Sequence, residues 1–151
     1  MKKKQFEALY RLLWAVGFAF LYSWGGMEYK WLRRFIAPLW LGGGLYLFSK
    51  NWKCLFQVPL MMFSLSMGYG ADLFWHKVIR RGLFGLANGI TSSAYNIYRK
   101  KWILMNIHII LCVSLYIVIG VKNPFLHART EEMLLGFIIA FVPIMSMEKN
   151  D

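Results

Sequence analysis

Six apolar stretches alternate with short polar clusters along the chain, at residues 8–25, 35–49, 54–71, 82–97, 102–120 and 133–147. A soluble domain of this length carries a largely polar surface over one core, with one apolar stripe per element. Here the apolar residues fill whole stretches and the charges fall between them, the alternation that a bilayer imposes. The pattern predicts an all-α, polytopic transmembrane helical bundle of about six short apolar helices, forming a single integral membrane domain over residues 1–151. The Met1-Lys2-Lys3-Lys4 start mimics a secretory leader. Bulky Ser23-Trp24-Gly25-Gly26 stands where a cleavage site needs small residues, so the segment is expected to be a retained first span.

A perpendicular span needs roughly 20 apolar residues, with about 17 as a lower limit. Four stretches are expected as clear spans, and two, 35–49 and 82–97, as short or re-entrant ones. Pro38 and Gly42-Gly43-Gly44 are expected to interrupt the second stretch; Gly82, Gly85, Gly89 and Thr91-Ser92-Ser93 interrupt the fourth. Gly85 and Gly89, four apart, also suit close helix packing. Either short stretch becomes a full helix, 31–49 or 78–95, if its flanking arginines lay their stems along the apolar chain.

Shifted by 47 residues, the stretch 22–42 lies on 69–89. Lys30, Arg33 and Arg34 then meet Lys77, Arg80 and Arg81, while Tyr22 meets Tyr69 and Gly42 meets Gly89. The expected units are two-span repeats, 8–49 and 54–97, in parallel orientation, followed by an extra hairpin at 102–147.

The net charge of +11 would suggest nucleic acid in a soluble protein. Beside apolar spans it reads as topology signal and contact with anionic lipid headgroups, with no nucleic acid partner. Counting six spans, the termini and even loops carry ten basic residues against eight for the odd loops. Both termini are therefore expected in the cytoplasm, in a bacterial or phage-encoded inner membrane. The acids and histidines gather on the odd-loop side: Glu28, Asp72, His76, His127, Glu131 and Glu132.

Candidate chemistry follows from that gathering. Asp72-x-x-x-His76 and His127-x-x-x-Glu131 each set a carboxylate and an imidazole one helical turn apart, as acid–base candidates. They also serve as ordinary polar helix ends, and no metal or cofactor is expected. Lys30, Arg33, Arg34, Lys77, Arg80 and Arg81 are anion or phosphate candidates, because arginine's fork fits phosphate oxygens. Glu131-Glu132 suits a helix N-terminus and could instead pair with the odd-loop arginines. Asn106 and His108 are intramembrane polar residues; Asn106 is expected to make an interhelical hydrogen bond. Cys54 and Cys112 read as small buried apolar residues.

No P-loop, dinucleotide fingerprint or Gly-x-Ser-x-Gly elbow is present. The leading expectation is a non-enzymatic binding, transport or membrane-partner protein of the lipid bilayer, with a homo-oligomer or another membrane protein as partner. The alternatives are a membrane enzyme acting on a lipid phosphate headgroup, and a holin-like permeabilising protein.

Overall fold

A computed structural model of the chain describes residues 2–27, 29–67, 77–121 and 128–148. Among them every regular element is helical and there is no strand: α1 (Lys2–Met27), α2 (Ala37–Ser49), α3 (Gln57–Met67), α4 (Lys77–Ser92), α5 (Ala94–Tyr98), α6 (Trp102–Val121) and α7 (Ala128–Met145). A π turn at Leu32–Ile36 leads into α2, and a 3-10 turn at Trp52–Phe56 leads into α3. One helix, α6, is long and apolar enough to cross a membrane: its stretch Trp102–Ile119 has mean hydropathy 2.3.

The α1 and α7 helices run antiparallel, Tyr22 lying against Gly136 and Arg11 against the end of α7, and so do α4 and α6. α7 packs along α1 and α6 along α4, the two largest contacts in the bundle. Glycines set both. A Cβ on Gly85 would lie 3.0 Å from Cys112 O and 3.1 Å from Val113 Cα, and one on Gly89 would lie 3.2 Å from Ile109 Cα. A Cβ on Gly136 would lie 2.8 Å from that of Tyr22. Small residues here let backbones approach, as the four-residue spacing of Gly85 and Gly89 suggests.

The expected interruption of the second stretch is a correction. The α2 helix runs unbroken through Gly42-Gly43-Gly44, because Gly42 and Gly44 receive Val58 and the indole of Trp14 in packed contacts. Trp14 and Trp40 stack at 4.2 Å, and each indole N–H donates to the other's carbonyl, at 2.8 and 2.9 Å. Pro38 acts one turn earlier. A helical proline clashes with the carbonyl four residues back, here that of Arg34. The backbone relieves it by widening: Ala37 N–H donates five residues back, to Leu32 O.

The fourth stretch does break, at Ser93, which takes φ −100° and ψ 13° between α4 and α5. Thr91, Ser92 and Ser93 each donate a hydroxyl to a carbonyl one turn earlier, at 2.9, 2.7 and 2.6 Å. Such bonds compete with the helix ladder. Gln57 bridges the break, donating to Ser92 O and accepting from Tyr95 N–H, both at 3.2 Å.

Candidate functional site

Polar side chains are concentrated inside the bundle. Arg33, Gln57, Ser64, Asn88, Ser92, Ser93, Asn96, His108 and Glu131 are buried, while Phe6, Trp52, Phe63, Ile103 and Ile110 face outward with 63–76% of their surface exposed. Arg33, Gln57, Ser64, Asn88, Ser92 and His108 belong to one network that begins at the end of the bundle where α1 finishes and α7 starts.

There, Arg33 Nη2 meets Glu132 Oε2 at 2.5 Å. Arg33 Nε donates to Tyr22 O at 3.1 Å, and its guanidinium lies 3.9 Å from the Tyr22 ring centroid. The π turn carries Arg33 to this place. One extra residue in a turn rotates what precedes it by about 100° relative to an unbroken α-helix. The Tyr22 and Tyr116 hydroxyls bond to each other across the core, joining α1 to α6. Arg81 treats Tyr116 as Arg33 treats Tyr22: its Nε donates to Tyr116 O at 2.7 Å, and its guanidinium lies 5.6 Å from that ring. Asn88 donates to Tyr116 Oη at 2.9 Å and accepts from Ser64 Oγ at 2.5 Å.

The network continues one turn along α4. Ser92 Oγ donates to Asn88 O at 2.7 Å and lies 2.6 Å from His108 Nε2. A hydroxyl has one hydrogen, so His108 Nε2 is the donor in that pair. His108 Nδ1 then keeps its lone pair, with no hydrogen-bond partner among the described residues. Beyond Ser92, Gln57 and Tyr95 carry the connection to Asn51, whose amide donates to Tyr95 Oη at 2.9 Å. Hydrogen-bonded contacts thus link both ends of the bundle.

Chemically this is a set of struts. A proton relay needs groups that both give and take a proton. Arg33 cannot give one up, and the Asn88 amide donates without being able to replace its hydrogen. Each junction instead ties two elements: the π turn to α7, α1 to α6, α4 to α6 and α3 to α4. At the far end Arg11 closes the bundle on the last turn of α7, donating to Ile144 O and Met145 O at 3.2 Å and to Met147 O at 2.5 Å. Cations suit a helix C-terminus. A depression of about 340 Å³ opens at Lys100–Leu104.

The anion candidates are placed differently from one another. Arg33 is buried in the ion pair and Arg34 is half-buried beside it; Arg81 is half-buried on Tyr116, and Lys30 is exposed. Lys77 and Arg80 lie on α4, with their side chains outside the described residues. Of the acid–base candidates Asp72, His76 and His127 lie outside the described residues, and Glu131 is buried at the start of α7. Tyr69, the repeat partner of Tyr22, is outside them too. Among the described residues no three His, Cys, Asp or Glu side chains come together as a metal site. Asn106 is exposed on α6 and makes no hydrogen bond within the chain among the described residues. Sequence reasoning missed Tyr116, Asn88 and Ser64. The signal available was their recurrence as lone polar groups inside apolar stretches. Comparison with protein-family models, with curated proteins and with solved structures finds no match to the chain.

Proposed function

We propose that this chain is a non-enzymatic integral membrane protein of six spans, held rigid by its interior and working through its lateral surface as a partner of other membrane-embedded helices. One observation carries the reading: large apolar side chains point outward along α1, α2, α3, α4 and α6 while Arg33, Glu131, Gln57, Asn88 and Asn96 are held inside. In water that distribution is costly on both counts; in hydrocarbon it is the favourable one. The α6 stretch is only 22% buried, so its apolar surface meets the surroundings rather than a core. Buried polar groups then bind helix to helix, as they do where lipid removes the hydrophobic drive for association.

Membrane preparations test this. The chain should resist carbonate extraction. Single cysteines placed at Lys30 and at Lys53 should be labelled by an impermeant maleimide from opposite faces of sealed vesicles, since Cys54 and Cys112 are buried. Release by carbonate, or labelling of both from the same face, refutes the six-span reading. Liposomes loaded with pH-sensitive dye should stay tight after reconstitution, because the struts do not relay protons. Rapid leakage would favour the permeabilising alternative.

A further inference from the structure

We propose that two copies of this chain pair through the outward face of α6, with Asn106 of each copy hydrogen-bonded to Asn106 of the other. The inference rests on the membrane reading above and names its partner. On α6 the inward face is His108, Cys112, Tyr116 and Ile119; the outward face is Ile103, Ile107, Ile110 and Val118. Asn106 and Ser114 lie on that outward face, exposed, one turn to either side of Ile110. Their isolation is unusual within this chain. Ser49, Ser64, Ser66, Thr91, Ser92, Ser93 and Ser146 all spend their hydroxyls on partners inside the bundle. Neither Asn106 nor Ser114 makes such a bond among the described residues.

Depth sharpens the point. At 1.5 Å per residue, Asn106 lies about 6 Å along the helix from Trp102 and Ser114 about 18 Å, in a hydrocarbon layer about 30 Å thick. A carboxamide is too short to reach toward the headgroups as a lysine or arginine stem does. An amide left without a partner in an apolar medium is strongly disfavoured.

The second copy is the occupant that meets the requirement without further design. Chains inserted with one topology are related by a two-fold axis along the membrane normal. That axis sets Asn106 against Asn106, Ile110 against Ile110 and Ser114 against Ser114, each pair at equal depth. A carboxamide carries donors and an acceptor, so it complements itself. The alternating Ile103, Ile107 and Ile110 side chains supply the apolar packing beside it. A different membrane protein would need its own polar group at the same depth.

The test uses the full chain, labelled with a single fluorophore and reconstituted in phosphatidylcholine/phosphatidylglycerol vesicles over a range of protein-to-lipid ratios. Photobleaching steps count copies per particle. The wild type should pass from monomer to dimer as density rises. Asn106→Leu should shift that transition at least about 10-fold in density, and Asn106→Gln should largely restore it. Ile90→Ala, on the outward face of α4, should leave it unchanged. Ile110→Cys should cross-link to itself under mild oxidation, which reports the axis independently of the asparagine. Inserted wild-type chain that stays monomeric at every density overturns the proposal, whether the face is bare or normally covered by another protein. So does an Asn106→Leu chain that dimerises like the wild type. Chain that fails to float with the vesicles overturns the membrane reading itself, a distinguishable result.

Discussion

Taking the carboxylate out of the Arg33–Glu132 pair leaves a buried cation without its counter-ion. Nη2 and Oε2 are 2.5 Å apart, with the arginine side chain 9% exposed and the glutamate 29%. Two unit charges about 4 Å apart attract by roughly 4 kcal/mol at an effective dielectric constant of 20. Desolvation offsets part of that attraction. Removing one partner of a buried pair nevertheless costs about 3–5 kcal/mol, because the other charge stays behind. The two ends are not equivalent. Glu132→Gln strands the buried guanidinium and should destabilise by about 3 kcal/mol. Arg33→Met strands a carboxylate that can still hydrate, but it also removes the bond to Tyr22 O and the contact with the Tyr22 ring. Those losses sum to about 2–3 kcal/mol. The double variant should lose about 3.5 kcal/mol, well short of the sum, so the coupling is about 2 kcal/mol. Reversible unfolding in mixed micelles, read by tryptophan fluorescence and circular dichroism, measures all four corners of the cycle. A coupling under about 0.5 kcal/mol would show the two residues acting independently and refute the reasoning.

The other predictions concern backbone and packing. Gly85→Ala pushes a methyl against the α6 backbone and should cost about 1–3 kcal/mol, while Gly43→Ala meets nothing within 4 Å and should be neutral or stabilising by up to about 1 kcal/mol; the same micelle unfolding compares them. Lys50 and Lys100 hold left-handed conformations, with φ of 59° and 62°, so Lys50→Gly and Lys100→Gly should each raise stability by about 0.5–1 kcal/mol. Gln57→Leu leaves Ser92 O and Tyr95 N–H without their side-chain partner and should cost about 2 kcal/mol, with faster hydrogen exchange at the Tyr95 amide as the local readout.

The helical class was legible because continuous apolar stretches separated by basic clusters admit little else, and the packing role of Gly85 and Gly89 followed from their spacing. What failed had a common cause. Intrinsic propensity alone does not set the effect of a glycine or a proline; what lies opposite does. Gly42 and Gly44 are filled by Val58 and Trp14, so the helix passes through them. Pro38 delivers its strain to the turn before it, and that turn decides which arginine of the Arg33-Arg34 pair turns inward. The arginine pair could be read as a headgroup clamp or as a partner for Glu131-Glu132, and spacing alone left both open. A contact ninety-nine residues away joins Arg33 to Glu132. Tyr22 and Tyr116 stand ninety-four residues apart, and only the crossing of α1 and α6 makes them one contact.

A geometric likeness inside the bundle bears on the repeat. Arg33 on Tyr22 and Arg81 on Tyr116 make the same pair of contacts, Nε to the tyrosine carbonyl and guanidinium against its ring, and the two tyrosines then meet through their hydroxyls. Yet the 47-residue shift aligns Arg33 with Arg80, not Arg81, and Tyr22 with Tyr69, not Tyr116. The likeness is therefore not the one that the sequence shift would produce. It has a physical origin instead. A basic residue near a helix end needs a place for its guanidinium, and a tyrosine close to the helix end offers a ring face together with the second lone pair of its carbonyl. Two helices ending at the same level, α1 and α6, each present that combination, and the neighbouring segment supplies an arginine to each. Convergence on one local solution explains the pairing without duplication. It also explains why the interior works as a brace: each arginine fixes a tyrosine, each tyrosine fixes the other, and Asn88 locks both to α3 and α4.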